Sequence, residues 1–156
     1  MRILGVSAAA MLLSGCVAMD VQDIQVNTSP EVSHCPGVTK AGTDLPFSKA
    51  VRVGDVIYLS GELGIDPATN ELASGGVGPE TSMIFANIER TLAEFDADLS
   101  DVVKCSVFLD DMAAYGAMNA AYDAALPDPK PARSTFGVNG LALGAEVEIE
   151  CLAVTP

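Results

Sequence analysis

The sequence has no tryptophan, and its aromatic residues amount to only 5% of the 156 positions. A chain so built has no ladder of rings on which nucleic-acid bases could stack. Positive charge is also scarce: 8 Lys and Arg stand against 21 Asp and Glu, for a formal net charge of −13. Nucleic-acid affinity comes largely from cations that neutralise phosphates, so this balance argues against a nuclease or RNA-binding role. It argues equally against docking on anionic lipid. With a single histidine, His34, no Ser-His-Asp set can be assembled. His34 and its neighbour Cys35 are too few ligands for a metal, and no metal site is expected. A phosphate loop is missing as well, because Gly75-Gly76-Val77-Gly78 has neither the lysine nor the preceding strand of one.

What is present is the composition of one globular domain. Hydrophobic residues make up 49% of the chain and charged residues 19%, enough for a single sizeable core at this length. The N-terminus reads differently. Met1-Arg2 is a short basic start, and Ile3 to Leu13 is an apolar stretch too short to span a bilayer. It ends in Leu13-Ser14-Gly15-Cys16, which resembles the bacterial lipobox, where a peptidase cuts before a cysteine that carries lipid. Residues 1–15 are therefore expected to be a lipoprotein signal peptide, and 16–44 the lipidated Cys16 with its tether. Thr28-Ser29-Pro30 and Pro36-Gly37 give that tether its flexible character. Residues 45–156 would be the folded domain, held on the periplasmic side of the bacterial cell envelope. Such a compartment is oxidising, and Cys35, Cys105 and Cys151 remain after processing. Cys105 and Cys151 alternate with apolar neighbours and are expected to face the core as small hydrophobes. Whether any two cysteines pair stays open at this stage.

Along the domain, residues 47–53 and 56–61 are β-rich runs joined at Gly54-Asp55, a two-residue hairpin turn. A helix is predicted over 79–95, with Pro79 and Glu80 in its first turn and a stripe of Ile84, Ile88, Leu92 and Phe95. A strand over 102–109 follows, then a helix over 112–126 with Tyr115, Met118, Tyr122 and Leu126 on one side. Pro127, Pro129 and Pro131 stop it and feed strands over 132–138 and 145–154. The order β-β-α-β-α-β-β implies an α+β fold, a mixed sheet with both helices on one face. The opposite face then lacks helical cover and calls for a second copy of the chain.

Few side chains are left for acid–base or carboxylate chemistry. Arg133 stands at the start of a strand after a rigid, proline-rich segment, where its planar fork of donors would suit a carboxylate. Glu148 and Glu150 alternate with Val147, Ile149 and Cys151 and so share a face. Spacing alone reads all three as solvated charges. An acid on a face that becomes a subunit interface would instead be partly desolvated, which tunes its pKa.

Taken in order, however, the residues resemble the RidA family, also called YjgF. The similarity runs through Leu45-Pro46-Phe47-Ser48, Ala50-Val51-Arg52-Val53-Gly54-Asp55 and Leu59-Ser60-Gly61. It continues in 101–109 and in Met118-Asn119-Ala120-Ala121-Tyr122, and closes with Pro131-Ala132-Arg133-Ser134 and Val147-Glu148-Ile149-Glu150. The resemblance implies a chorismate-mutase-like fold and a homotrimer with active sites in the clefts between subunits. It implies hydrolysis of reactive 2-imino acids to 2-oxo acids and ammonia with no cofactor. Arg133 would clamp the substrate carboxylate and Glu148 would activate water, with Phe47, Gly61, Asn119, Ser134 and Thr135 lining the pocket. Three positions depart from the family pattern. Phe47 lacks the phenolic hydroxyl of a common tyrosine, Glu62 stands where glutamine is usual, and Thr135 takes a place often held by cysteine. The competing expectation is a non-catalytic module of the cell envelope that binds or senses a small carboxylate. A ribonuclease activity, claimed for some members, runs against the charge.

Overall fold

The computed structural model of the protein describes residues 29–38, 42 and 44–155. The expected signal peptide and Cys16 lie outside the described residues. No described helix is long and apolar enough to cross a membrane.

The chain runs β1 (Val32–Val38), β2 (Asp44–Val53), β3 (Val56–Leu59) and β4 (Glu62–Leu63), then the small hairpin β5 (Ile65–Asp66) and β6 (Glu71–Leu72). α1 (Val77–Ala93), β7 (Val102–Leu109), α2 (Tyr115–Ala125), β8 (Ala132–Gly137) and β9 (Val147–Val154) complete it. The main sheet has the order β1-β2-β3-β9-β7-β8, with β4 added against β9. β7 and β8 are parallel, as two strands bridged by a helix must be, while the other pairs are antiparallel, so the sheet is mixed. β2 and β3 form the expected hairpin, with Val53 opposite Val56 and Gly54 in the left-handed region at φ 58.

The tether expected over 16–44 is in part a strand of the sheet. Residues 32–38 pair antiparallel with β2 as an edge strand, with Val32 opposite Val53 and Cys35 opposite Ala50. Pro36 suggests a break, yet it sits at a bulge on the edge, where a missing donor is tolerated. Cys35 is drawn in because its side chain packs against the core.

One side of the sheet carries both helices. Ala50, Ile57, Cys105, Val107, Val147, Ile149 and Cys151 pack there against Ile84, Phe85, Ile88 and Leu92 of α1 and Met118 and Tyr122 of α2. The core positions expected of Cys105 and Cys151 are observed, but the two are also joined. They lie opposite one another on β7 and β9 and form a disulfide, 0% and 2% exposed. α1 begins two residues earlier than its sequence suggests. The Glu146 carboxylate accepts the Val77 N–H at 2.9 Å, and Glu80 accepts the Glu146 N–H at 2.9 Å. These two bonds satisfy helix-end and loop donors and fix the start of β9.

Among the described residues, no helix lies on the other side of the sheet. Tyr58 and Phe136 are exposed there, 50% and 52%, and the Phe136 ring stacks on Phe108 with centroids 6.0 Å apart. Glu148, Glu150 and Leu152 share this face, since β9 alternates strictly between buried and accessible positions.

Candidate active site

Arg133 is the second residue of β8, and β8 is the edge strand beside β7. Its register partner Cys105 faces the helices, and so does Arg133. There α2 surrounds its head. Nη2 donates to the Tyr115 hydroxyl at 2.9 Å and to Asn119 Oδ1 at 2.7 Å. The guanidinium also lies over the Tyr122 ring, 4.5 Å from its centroid, and within 5.7 Å of the Tyr115 centroid. Tyr115, Asn119 and Tyr122 follow one another at four and three residues, a single helical stripe aimed at the strand. Tyr122 is buried against Phe85, with ring centroids 5.1 Å apart, so the platform under Arg133 is part of the core. Burial raises the Tyr122 phenol above its usual range, while the nearby Arg133 charge pulls it down. Thr135, two residues along, shares the face of Arg133, and its buried hydroxyl meets no hydrogen-bond partner among the described residues.

Glu148 sits on the bare face. Its carboxylate rests against Gly61: a Cβ built on that glycine would lie 1.9 Å from Glu148 Oε1. Only glycine allows this approach, which explains the residue type at the break between β3 and β4. Desolvation raises the Glu148 pKa above the ordinary carboxylate range, and the neighbouring Glu150 raises it further. Such a shift moves a carboxyl toward the basicity a general base needs. Ser134 accepts a hydrogen bond from Lys104 Nζ at 2.8 Å. Its register partner Ser106 is opposite Glu150, so Ser134 belongs to the bare face too. Phe47, on β2, is 52% exposed.

Glu62 pairs with Ile149, a core-facing position, and so turns toward α1, where it bonds to the Asn87 side chain. Burial is the main cause of its raised pKa. Lys49, Asn87 and Arg90 pull it down, and Glu148 pushes it up. The extra acid is therefore directed away from the face that carries Glu148.

The expected residues thus divide into two groups. Arg133, Asn119 and Thr135 are on the helix side near the β8 edge, while Glu148, Gly61 and Ser134 are on the bare face. Arg133 and Cys151 share one cross-strand row, and Glu148 is three residues from Cys151 along β9. That offset is roughly 10 Å along the strands and about 10 Å across two strand spacings, on opposite faces. One chain does not bring the two together. The sequence does not mark Tyr115 and Tyr122 as neighbours of Arg133. Their signal was the spacing to Asn119, which their place in an apolar stripe concealed. Among the described residues no cluster of three or more His, Cys, Asp or Glu could hold a metal.

Known proteins match this arrangement along the whole domain. The family model described as Endoribonuclease L-PSP matches residues 39–155. The 2-iminobutanoate/2-iminopropanoate deaminase of Dermatophagoides farinae is 38% identical over 109 residues, covering 70% of this chain and 85% of that protein. Reactive Intermediate Deaminase A, chloroplastic, of Arabidopsis thaliana is 39% identical over 108 residues, which is 69% of this chain and 58% of that protein. The crystal structure of RidA from the Antarctic bacterium Psychrobacter sp. PAMC 21119 superposes with a TM-score of 0.69 at 33% identity. That superposition covers 81% of this chain and 98% of the other. With two helices on one face of a mixed sheet, an ordered sequence match and relatives named as imine deaminases, this chain belongs to the RidA/YjgF family.

Proposed function

We propose that the protein hydrolyses small, reactive 2-imino acids to 2-oxo acids and ammonia, in a site shared between two copies of the chain within a homotrimer. The observation that carries this reading is the separation of Arg133 from Glu148 on opposite faces of one sheet. Arg133 stands at the sheet edge, so the bare face of a second copy can bring its own Glu148 to it. Burial of Tyr58, Phe108, Phe136 and Leu152 against that copy would supply the driving force. The name of a relative, 2-iminobutanoate/2-iminopropanoate deaminase, supports the substrate class.

In this site Arg133 holds the carboxylate of the imino acid and so fixes the C=N carbon. Glu148 of the other copy takes a proton from water as its oxygen adds to that carbon. The proton passes to nitrogen to give the tetrahedral carbinolamine. Glu148 then moves the carbinolamine hydroxyl proton to the same nitrogen as the C–N bond breaks, releasing ammonia and the 2-oxo acid. An imine is already electrophilic, so positioning and a general base are adequate for the step. Ser134, Thr135, Asn119, Gly61 and Phe47 line the site in this reading. The net charge of −13 argues against the ribonuclease activity in the description of the family model.

The same reading places the chain in the cell envelope, anchored by lipid on Cys16. Leu13-Ser14-Gly15-Cys16 and the Cys105–Cys151 disulfide support that address, since disulfides persist in oxidising compartments. Incorporation of labelled palmitate that is lost in Cys16→Ala tests it. Activity is tested by adding the protein to an amino-acid oxidase that generates imines and following ammonia release. Acceleration by the wild type and none by Arg133→Ala is expected. A wild type that binds 2-oxo acid without acceleration would favour a carboxylate-sensing module instead.

A further inference from the structure

Arg133 is not free to receive a carboxylate in this structure. A guanidinium has two bidentate edges, one formed by Nε with Nη2 and the other by Nη1 with Nη2. Each edge needs one of the two Nη2 protons. Nη2 already donates to two acceptors, the Tyr115 hydroxyl and Asn119 Oδ1. Both edges therefore lack a tooth, and a carboxylate can engage the fork only by displacing one of the two.

We propose that Tyr115 is that displaceable partner, a phenol that competes with the substrate carboxylate for Arg133 and sets the affinity of the site. The proposal rests on the reading of Arg133 as the carboxylate clamp. Three features single out Tyr115 over Asn119. Its bond is the longer of the two and is exposed, whereas that of Asn119 is partly buried. Tyr115 is itself 39% exposed, while Asn119 follows the fully buried Met118. Tyr115 is also the first residue of α2, one short 3-10 turn from the start of the helical run at its Asp111 cap, whereas Asn119 lies a full turn further in. Asn119 and the Tyr122 ring keep the guanidinium in place when Tyr115 leaves. Tyr115 is thus a specificity-determining residue that acts by holding the clamp closed against weak carboxylates.

The experiment is a calorimetric titration of the full chain with 2-oxobutanoate and with its neutral amide, 2-oxobutanamide, for wild type and Y115F. Removing the hydroxyl frees one Nη2 proton, so Y115F should bind the acid more tightly by about three- to tenfold, the worth of an exposed hydrogen bond to a charged donor. Binding of the amide should not change, and in the imine assay KM should fall while kcat stays within about twofold. An unfolding midpoint equal to wild type certifies the fold, and Tyr115→Leu, which also lacks the hydroxyl, is read the same way should Y115F be unstable. Equal or weaker binding of the acid by the variant overturns the proposal, as does an equal gain for the amide or no binding by either protein. Binding without turnover leaves the proposal judged by the titration and counts only against the deaminase reading.

Discussion

Gly61→Ala separates stability from chemistry at the Glu148 carboxylate. A Cβ at position 61 would lie 1.9 Å from Glu148 Oε1, 2.9 Å from Cδ and 3.2 Å from Cγ. Relief to ordinary contact requires the carboxylate to retreat by about 1.5 Å. The retreating atoms are the far end of a flexible side chain on the bare face, and the φ of Gly61 is not positive, so the backbone accepts alanine. The fold should therefore lose less than about 1 kcal/mol, as for other surface substitutions without a buried clash. Catalysis should suffer far more, because misplacing a reacting group by about 1 Å can cost on the order of a hundredfold. The assay is kcat/KM for ammonia release from enzymatically generated imines, alongside thermal unfolding of the same preparations. A folded Gly61→Ala protein with wild-type kcat/KM would refute the placement of Glu148 as the water-activating base. Loss of the fold would refute the claim that its carboxylate is free to move.

Three further outcomes follow from the same structure. Reducing the Cys105–Cys151 disulfide, which closes a 46-residue separation, should cost about 2–4 kcal/mol; an unfolding midpoint indifferent to reductant would contradict it. Burial raises the folded pKa of Glu62 above its unfolded value, so its contribution to stability is present below the ordinary glutamate range and lost as pH rises through the raised value. Glu62→Gln makes the neutral form permanent and should raise the unfolding midpoint at neutral pH while flattening its pH dependence; a lower midpoint there would count against the assignment. Glu148 must be ionised to accept a proton, and its raised pKa places the acid limb of kcat/KM above the ordinary carboxylate range. Glu150→Gln removes one cause of that shift and should move the limb to lower pH, whereas an unmoved limb would assign it to another group.

Much of the fold was legible because each element carries its own period. The 54–55 turn, the Ile84, Ile88 and Leu92 stripe and the alternation of 147–154 all reappear where the spacing puts them. Residues 32–38 were not legible, because an edge strand needs only one partner and tolerates the proline that marks a loop. The disulfide was hidden for a related reason. Two core-facing cysteines on different strands look like small hydrophobes until the register sets Cys105 opposite Cys151. The site shows the same limit. Alternation assigns parity within a strand, so Glu148 and Glu150 were correctly put on one face. It says nothing of parity between strands, and only the β7–β8 register shows that Arg133 faces the other way. The spacing sets Tyr115 on one side of its helix with Met118, Tyr122 and Leu126 but does not show that, as the first residue of α2, it turns its hydroxyl to Arg133.

The central claim, that one copy lends Arg133 and another lends Glu148 to each site, is tested most directly by complementation. Arg133→Ala and Glu148→Gln chains, each inactive alone, are co-expressed with different tags and the mixed assemblies are isolated. In either mixed trimer one of the three intersubunit sites pairs an intact Arg133 with an intact Glu148, so about a third of wild-type ammonia release should return. Mixed assemblies as inactive as either variant alone would contradict a shared site.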